Sequence, residues 1–189
     1  MLYDAQGLYV SFRSLDRYVK CVHTTYQSLV SQDSCVEFFV QPTPQGGYFN
    51  FEMNCGGTML LFYIEDATKV EGSLFRKYQE VSPEFAQHIR TYHSLPEVIR
   101  DEIQEPIEWR VASFIPFSLM ERFVGPLTDL HSRSWRGNFF KCADATSHPH
   151  WASWAPIGEL LRFHQPEYFG ALEFGPPSNP VSRENLRRG

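Results

Sequence analysis

Several things are missing from this sequence, and each absence excludes something. No apolar run comes near the roughly 20 residues that a membrane-spanning helix needs. The longest, such as Met59 to Ile64, fall far short, so a membrane is not an expected partner and a soluble protein is expected. Basic residues are few and scattered: 17 Lys and Arg stand against 22 Asp and Glu, for a net charge of −5, and their one cluster is Arg183, Arg187 and Arg188. Without a basic stripe to neutralise phosphates, nucleic acid is not an expected partner either. The four cysteines, at 21, 35, 55 and 142, lack the close pairs of a zinc motif and are too few for a disulfide scaffold. Free, half-buried thiols are the plain reading. His-Glu-x-x-His, a Gly-x-Ser-x-Gly elbow, a phosphate-cradling glycine loop and a dinucleotide fingerprint are all missing, which weakens the case for an enzyme. Nor does a charged-then-apolar leader follow Met1, and position 4 is already Asp4.

What is present points to strands. Aromatic residues make up 15% of the chain, with 16 Phe and 9 Tyr, within an ordinary globular balance of 42% hydrophobic and 21% charged residues. A length of 189 residues suits a single core. The expectation is one all-β domain over residues 1–175, an antiparallel two-sheet sandwich of jelly-roll or immunoglobulin-like type with long loops and at most short helices. Pro176, Pro177, Asn179 and Pro180 give residues 176–189 the character of an irregular tail.

Alternation of bulky and polar residues in Gly7 to Arg13 and Arg17 to His23 predicts a hairpin turning at Ser14, Leu15 and Asp16. A second hairpin is expected where Cys35 to Gln41 and Tyr48 to Asn54 flank Pro42-Thr-Pro-Gln-Gly-Gly. Thr58 to Ile64, apolar throughout, suits a central strand buried on both faces. Residues 65–106 stay ambiguous between helix and strand. Strands follow at Ile107 to Ile115, at Trp135 to Cys142 and at Tyr168 to Phe174, with a short helical segment at Ser118 to Phe123. Ala145 to Pro166, rich in His, Ser, Pro and Trp, reads as a long binding loop.

Two constellations could carry chemistry. If Gln41 faces Tyr48, constant-sum pairing sets Phe38 against Phe51 and Glu37 against Glu52. One face is then apolar, while the other gathers Glu37, Glu52, Asn50, Asn54, Phe39 and Cys35. Opposed carboxylates repel unless something compensates them, so this face is a solvated surface, a sugar or calcium contact, or a catalytic pair. The second constellation is Trp151 and Trp154, two indoles in an irregular stretch, where a flat aromatic face suits the apolar side of a sugar ring.

Five segments, in order, resemble the family 9 carbohydrate-binding modules: Asp33-Ser-Cys-Val-Glu-Phe-Phe-Val, Tyr48-Phe-Asn-Phe-Glu-Met-Asn, Trp135-Arg-Gly-Asn-Phe-Phe-Lys-Cys142, His150-Trp-Ala-Ser-Trp-Ala-Pro-Ile157 and Phe163-His-Gln-Pro-Glu-Tyr-Phe-Gly170. The resemblance implies a β-sandwich, found alone or attached to xylanases and other glycoside hydrolases, that binds a sugar or a polysaccharide chain end without cleaving it. It also implies structural calcium, a secreted or periplasmic location, and a further segment ahead of the strand at Leu8. In the family two tryptophans clamp a ring while a carboxylate, an arginine and an asparagine hold its hydroxyls. Glu37 matches the carboxylate, with Glu52 beside it, and Trp154 matches one clamp residue. Arg136 and Asn138 are the polar candidates. Ser31 stands where the other clamp residue is usual, leaving Trp151 or Tyr26 to supply that face. Three rivals remain: a glycoside hydrolase using Glu37 and Glu52, a haem-binding sandwich with axial ligands from His88, His93, Met53 or Met59, and a structural or docking module whose aromatic residues simply pack inside.

Overall fold

Why the chain makes two layers is clearest at its centre, where Cys35–Gln41 (β4) pairs with Tyr48–Asn54 (β5). In the computed structural model, which describes residues 1–128, 130 and 134–175, Phe38 faces Phe51, Glu37 faces Glu52 and Val40 faces Phe49, the register expected from the sequence. Because side chains alternate across a strand, Val36, Phe38, Val40, Phe49, Phe51 and Met53 all point one way. They form one wall of the main core.

Met59–Asp66 (β6), flanked by Lys77–Glu80 (β7), extends this sheet on one side. Trp135–Cys142 (β11) extends it on the other. The outer edge of β11 is shared: Trp151–Ser153 (β12) covers residues 140–142, and Gly170–Leu172 (β13) covers residues 135–137. The intervening loop therefore starts and ends on the same strand and folds over one face of the sheet. The second layer has four strands in the order β1-β2-β10-β8, comprising Leu2–Tyr3 (β1), Gly7–Asp16 (β2), Arg90–His93 (β8) and Ile107–Pro116 (β10). Leu8, Val10, Trp109, Val111 and Ile115 from this layer complete the sandwich core. Val19–Cys21 (β3) and Ile99–Ile103 (β9) form a separate two-stranded ribbon.

The expected first hairpin does not form. β2 runs straight through Ser14 and Leu15 and pairs along its full length with β10, from Gly7 opposite Pro116 to Asp16 opposite Ile107. The chain turns later, at Tyr18, whose φ of 63° redirects it into the ribbon. Asp16 is held in place: its Oδ2 accepts from Trp109 Nε1 at 3.0 Å and lies 3.1 Å from Lys141 Nζ of the other sheet. The long β2–β10 register wins because it buries the apolar side of both strands at once, which a local hairpin could not do.

The ambiguous stretch 65–106 contains both kinds of element: β7, one helical turn Pro83–Ala86 (α1) with proline in its first turn, β8 and β9. The helix after Pro116 forms as Phe117–Val124 (α2), and β6 is buried over Met59–Ile64 as expected. Residues 176–189 lie outside the described residues.

Phe51 is fully buried and sits 6.2 Å from Phe38 and 5.9 Å from Phe49, ring centre to ring centre. Phe51→Ala should lower the unfolding free energy by about 3–5 kcal/mol in urea denaturation, as large-to-small core changes do.

Candidate functional site

The other face of the large sheet carries the polar set. Glu37 and Glu52 project side by side from β4 and β5 and are only 3% and 7% exposed. Asn50, on the same face, donates its Nδ2 to Glu52 Oε1 at 2.8 Å and accepts the Phe62 amide at 2.6 Å. Cys142 Sγ donates to Glu37 Oε1 at 3.0 Å. Tyr48 shares a 2.8 Å hydrogen bond between its hydroxyl and His164 Nδ1. Asn54, by contrast, is taken up by structure: its Nδ2 donates to His23 O and Asp33 Oδ2, and its Oδ1 accepts the Thr58 amide.

These groups form the floor of a cleft of about 910 Å³, whose walls include Trp151, Phe62, Phe75, Lys69 and Phe163. Part of the wall comes from the loop joining β12 to β13, where Phe163 stacks 4.1 Å from Phe140 of β11. Another part comes from the turn after β6, where Lys69 Nζ lies 4.3 Å from the ring centre of Phe75. A polar floor under aromatic walls matches an amphipathic ligand of small-molecule size.

Burial governs the protonation of the floor. Removal from water, followed by the charge of Glu52, raises Glu37 well above the usual carboxylate range. Burial likewise pushes Glu52 up to about 7, with the Asn50 hydrogen bond opposing it. His164 is lowered to about 3, by burial and then by Lys69, so its ring is neutral 4.0 Å from Glu52 and makes no ion pair. Burial pushes the Cys35 thiol up to about 12.

The two tryptophans part company. Trp151, 60% exposed, lines the cleft; it pairs with Cys142 across β11 and β12, and its Nε1 donates to Asp144 Oδ1 at 2.7 Å. Trp154, 56% exposed, does not line it. Its ring lies over Gly170, where any Cβ would come within 2.6 Å, and meets Phe139 edge-on at 5.7 Å on the side of the sandwich core.

Arg136 and Asn138, expected to meet a ligand, do not line this cleft and bond to the loop. The Arg136 guanidinium donates to Phe169 O at 3.1 and 2.7 Å and to Glu167 O at 3.0 Å. Asn138 is fully buried; it donates to Ala155 O at 3.1 Å and accepts the amides of Ala155 and Phe139. Both residues fasten the loop onto β11. Tyr26 donates its hydroxyl to Val81 O and packs against the sandwich core, away from the cleft, whereas Ser31 lies on the cleft wall.

The haem ligands are not assembled. Met53 and Met59 face each other inside the sandwich core, His88 is exposed, and His93 Nδ1 is hydrogen-bonded to Leu95 O. Sequence reasoning missed Tyr48, His164, Lys69 and Phe75. Tyr48 shares the alternation of Glu52 and was within reach of that argument, while the other three sit on stretches without periodicity.

Residues 1–174 match the model of carbohydrate-binding family 9. The chain belongs to that family. It is also similar to the crystal structure of a proposed carbohydrate-binding protein from Bacteroides uniformis, with a TM-score of 0.77 and 29% identity over 90% of this chain and 74% of that one. No curated protein matches it. The match spans all the described strands of the family 9 domain, including those that carry the cleft floor.

The raised carboxyls make the domain's stability depend on pH. A buried carboxyl titrating near 7 holds a proton that the unfolded chain releases near 4.3, so stability falls as pH rises through that interval. With a chelator present, Glu52→Gln should raise the Tm by several degrees at pH 8, for a gain on the order of 2 kcal/mol, and leave it nearly unchanged at pH 4. Calorimetry at the two pH values checks this.

Proposed function

We propose that the domain binds a mono- or oligosaccharide, or the end of a polysaccharide chain, in the cleft above Glu37 and Glu52, and does so without cleaving it. The observation that carries this reading is the polar floor of Glu37, Glu52 and Asn50 set beneath the exposed indole of Trp151. Sugar hydroxyls need acceptors fixed in rigid positions, and the apolar side of a pyranose needs a flat aromatic surface. In this reading Trp151, not Trp154, is the stacking residue, and Arg136 and Asn138 act by holding the loop. Service to polysaccharide breakdown, beside xylanases or other glycoside hydrolases outside the cytoplasm, goes with the family membership. Structural calcium belongs to the same set of proposals.

Hydrolysis fits the floor less well. A glycosidase places its two carboxyls on either side of the scissile bond. Here Glu37 and Glu52 rise from adjacent strands of one sheet face, so both approach a ligand from beneath.

Stacking and a few hydrogen bonds, less the cost of association, give affinities in roughly the micromolar to millimolar range. In fluorescence titrations with cellobiose, xylobiose, glucose and galactose, at least one sugar should give a saturable change. Trp151→Ala should weaken that binding about tenfold or more, whereas Trp154→Ala should change it less than about threefold. The wild-type domain should release no reducing sugar from the same ligands. Binding lost in Trp154→Ala and kept in Trp151→Ala would place the ligand elsewhere.

A further inference from the structure

Cys35 and Cys142 are direct partners across β4 and β11, and Glu37 stands two residues beyond Cys35 on the same face. The two sulfurs and a Glu37 carboxylate oxygen all lie within 4.8 Å of one another, and all three residues are buried. We propose that this trio is a metal site for a borderline-soft divalent cation of the zinc type, set into the floor of the cleft.

Geometry carries the argument first. Around a tetrahedral ion with bonds of about 2.3 Å to sulfur and about 2.1 Å to oxygen, ligand atoms stand about 3.6–3.8 Å apart. The trio needs at most about 1 Å of side-chain adjustment to reach that spacing. All three ligands sit on central strands of one sheet, which hold their Cα positions rigidly. Glu37 and Cys142 also line the cleft, so the fourth position of a tetrahedral ion opens toward it, where a water or a ligand hydroxyl could bind.

Charge is the second argument. Among the described residues, the hydrogen-bond partner of the Glu37 carboxylate is the Cys142 thiol, a weak donor, and Glu52 stands directly opposite. A buried carboxyl so placed, beside a second one, gains most from a cation. The choice of ion follows from the donors. Two thiolates with one carboxylate favour zinc or cobalt, whereas calcium takes six to eight oxygens. Binding releases the two thiol protons, and with them any proton held by Glu37, to solvent and leaves two thiolates and a carboxylate on the ion. The other close thiols, Cys21 and Cys55, are part of no such three-ligand group among the described residues.

The proposal goes beyond the carbohydrate reading and stands without it, because its test contains no sugar. The full chain, reduced and stripped with a chelator that is then removed, is titrated with Co²⁺ under nitrogen. The expected result is one equivalent bound, giving sulfur-to-cobalt charge-transfer absorption in the near ultraviolet and the visible bands of a tetrahedral ion. One equivalent of Zn²⁺ should abolish the spectrum, and excess Ca²⁺ should leave it unchanged. Cys35→Ser and Cys142→Ser, checked for folding by circular dichroism, should each weaken Co²⁺ binding at least tenfold. Glu37→Gln should weaken it while keeping the charge-transfer band. A wild-type spectrum without the band overturns the proposal even if a variant fails to fold. Absence of a charge-transfer band, a band undiminished in the two serine variants, or a Cys35–Cys142 disulfide found by peptide mapping of the protein as isolated would each overturn the proposal.

Discussion

The pairing of β4 with β5 in a single register is the constraint on which the rest of the molecule depends. It sends Phe38, Val40, Phe49 and Phe51 into the sandwich and Glu37, Glu52, Asn50 and Tyr48 to the opposite face. A slip of one residue by either strand would drive its own carboxylate into the core and its core-facing phenylalanines out of it. Each apolar side chain so exposed forfeits about 1.5–3 kcal/mol, and the buried charges cost more, so no neighbouring register competes.

That register creates a second problem, because the polar face is itself covered. The loop between β12 and β13 lies across it, fastened by Arg136 through the carbonyls of Glu167 and Phe169 and by Asn138 through both backbone groups of Ala155. Phe140, Phe163, Phe39 and Phe169 fill the space beneath with a second apolar cluster. What remains open is the cleft, with rigid sheet for a floor and loops for walls. The carboxyls are thus kept dry enough for their acidity to be altered, yet remain reachable from one side. Sugar and cation would meet the same floor from above and within it, respectively.

How far all this was legible follows from the range of the interactions. The β4–β5 hairpin, its register, the strand at 107–116 and the family itself could be read because local alternation and short motifs specify them. The pairing of β2 with β10 could not, since it joins residues about 90 to 110 apart in sequence and outcompetes a plausible local turn. The roles of the tryptophans were half legible. Their exposure follows from the irregular stretch, but which one faces the cleft depends on Trp151 sharing a side with Cys142 across β11. Arg136 and Asn138 have the chemistry of sugar-binding residues, yet their partners are backbone groups of a loop whose path has no signature in sequence. The cysteines were set aside for lack of close spacing, although β4 and β11 bring Cys35 and Cys142 together from positions 35 and 142.

A crystal structure of the chain soaked with a sugar that it binds tests the central claim most directly. The account predicts a ring against Trp151, with hydroxyls directed at Glu52, Asn50 and Glu37 on the cleft floor. A ring held instead against Trp154, or in the separate groove lined by Tyr18, His148 and Pro106, would contradict it.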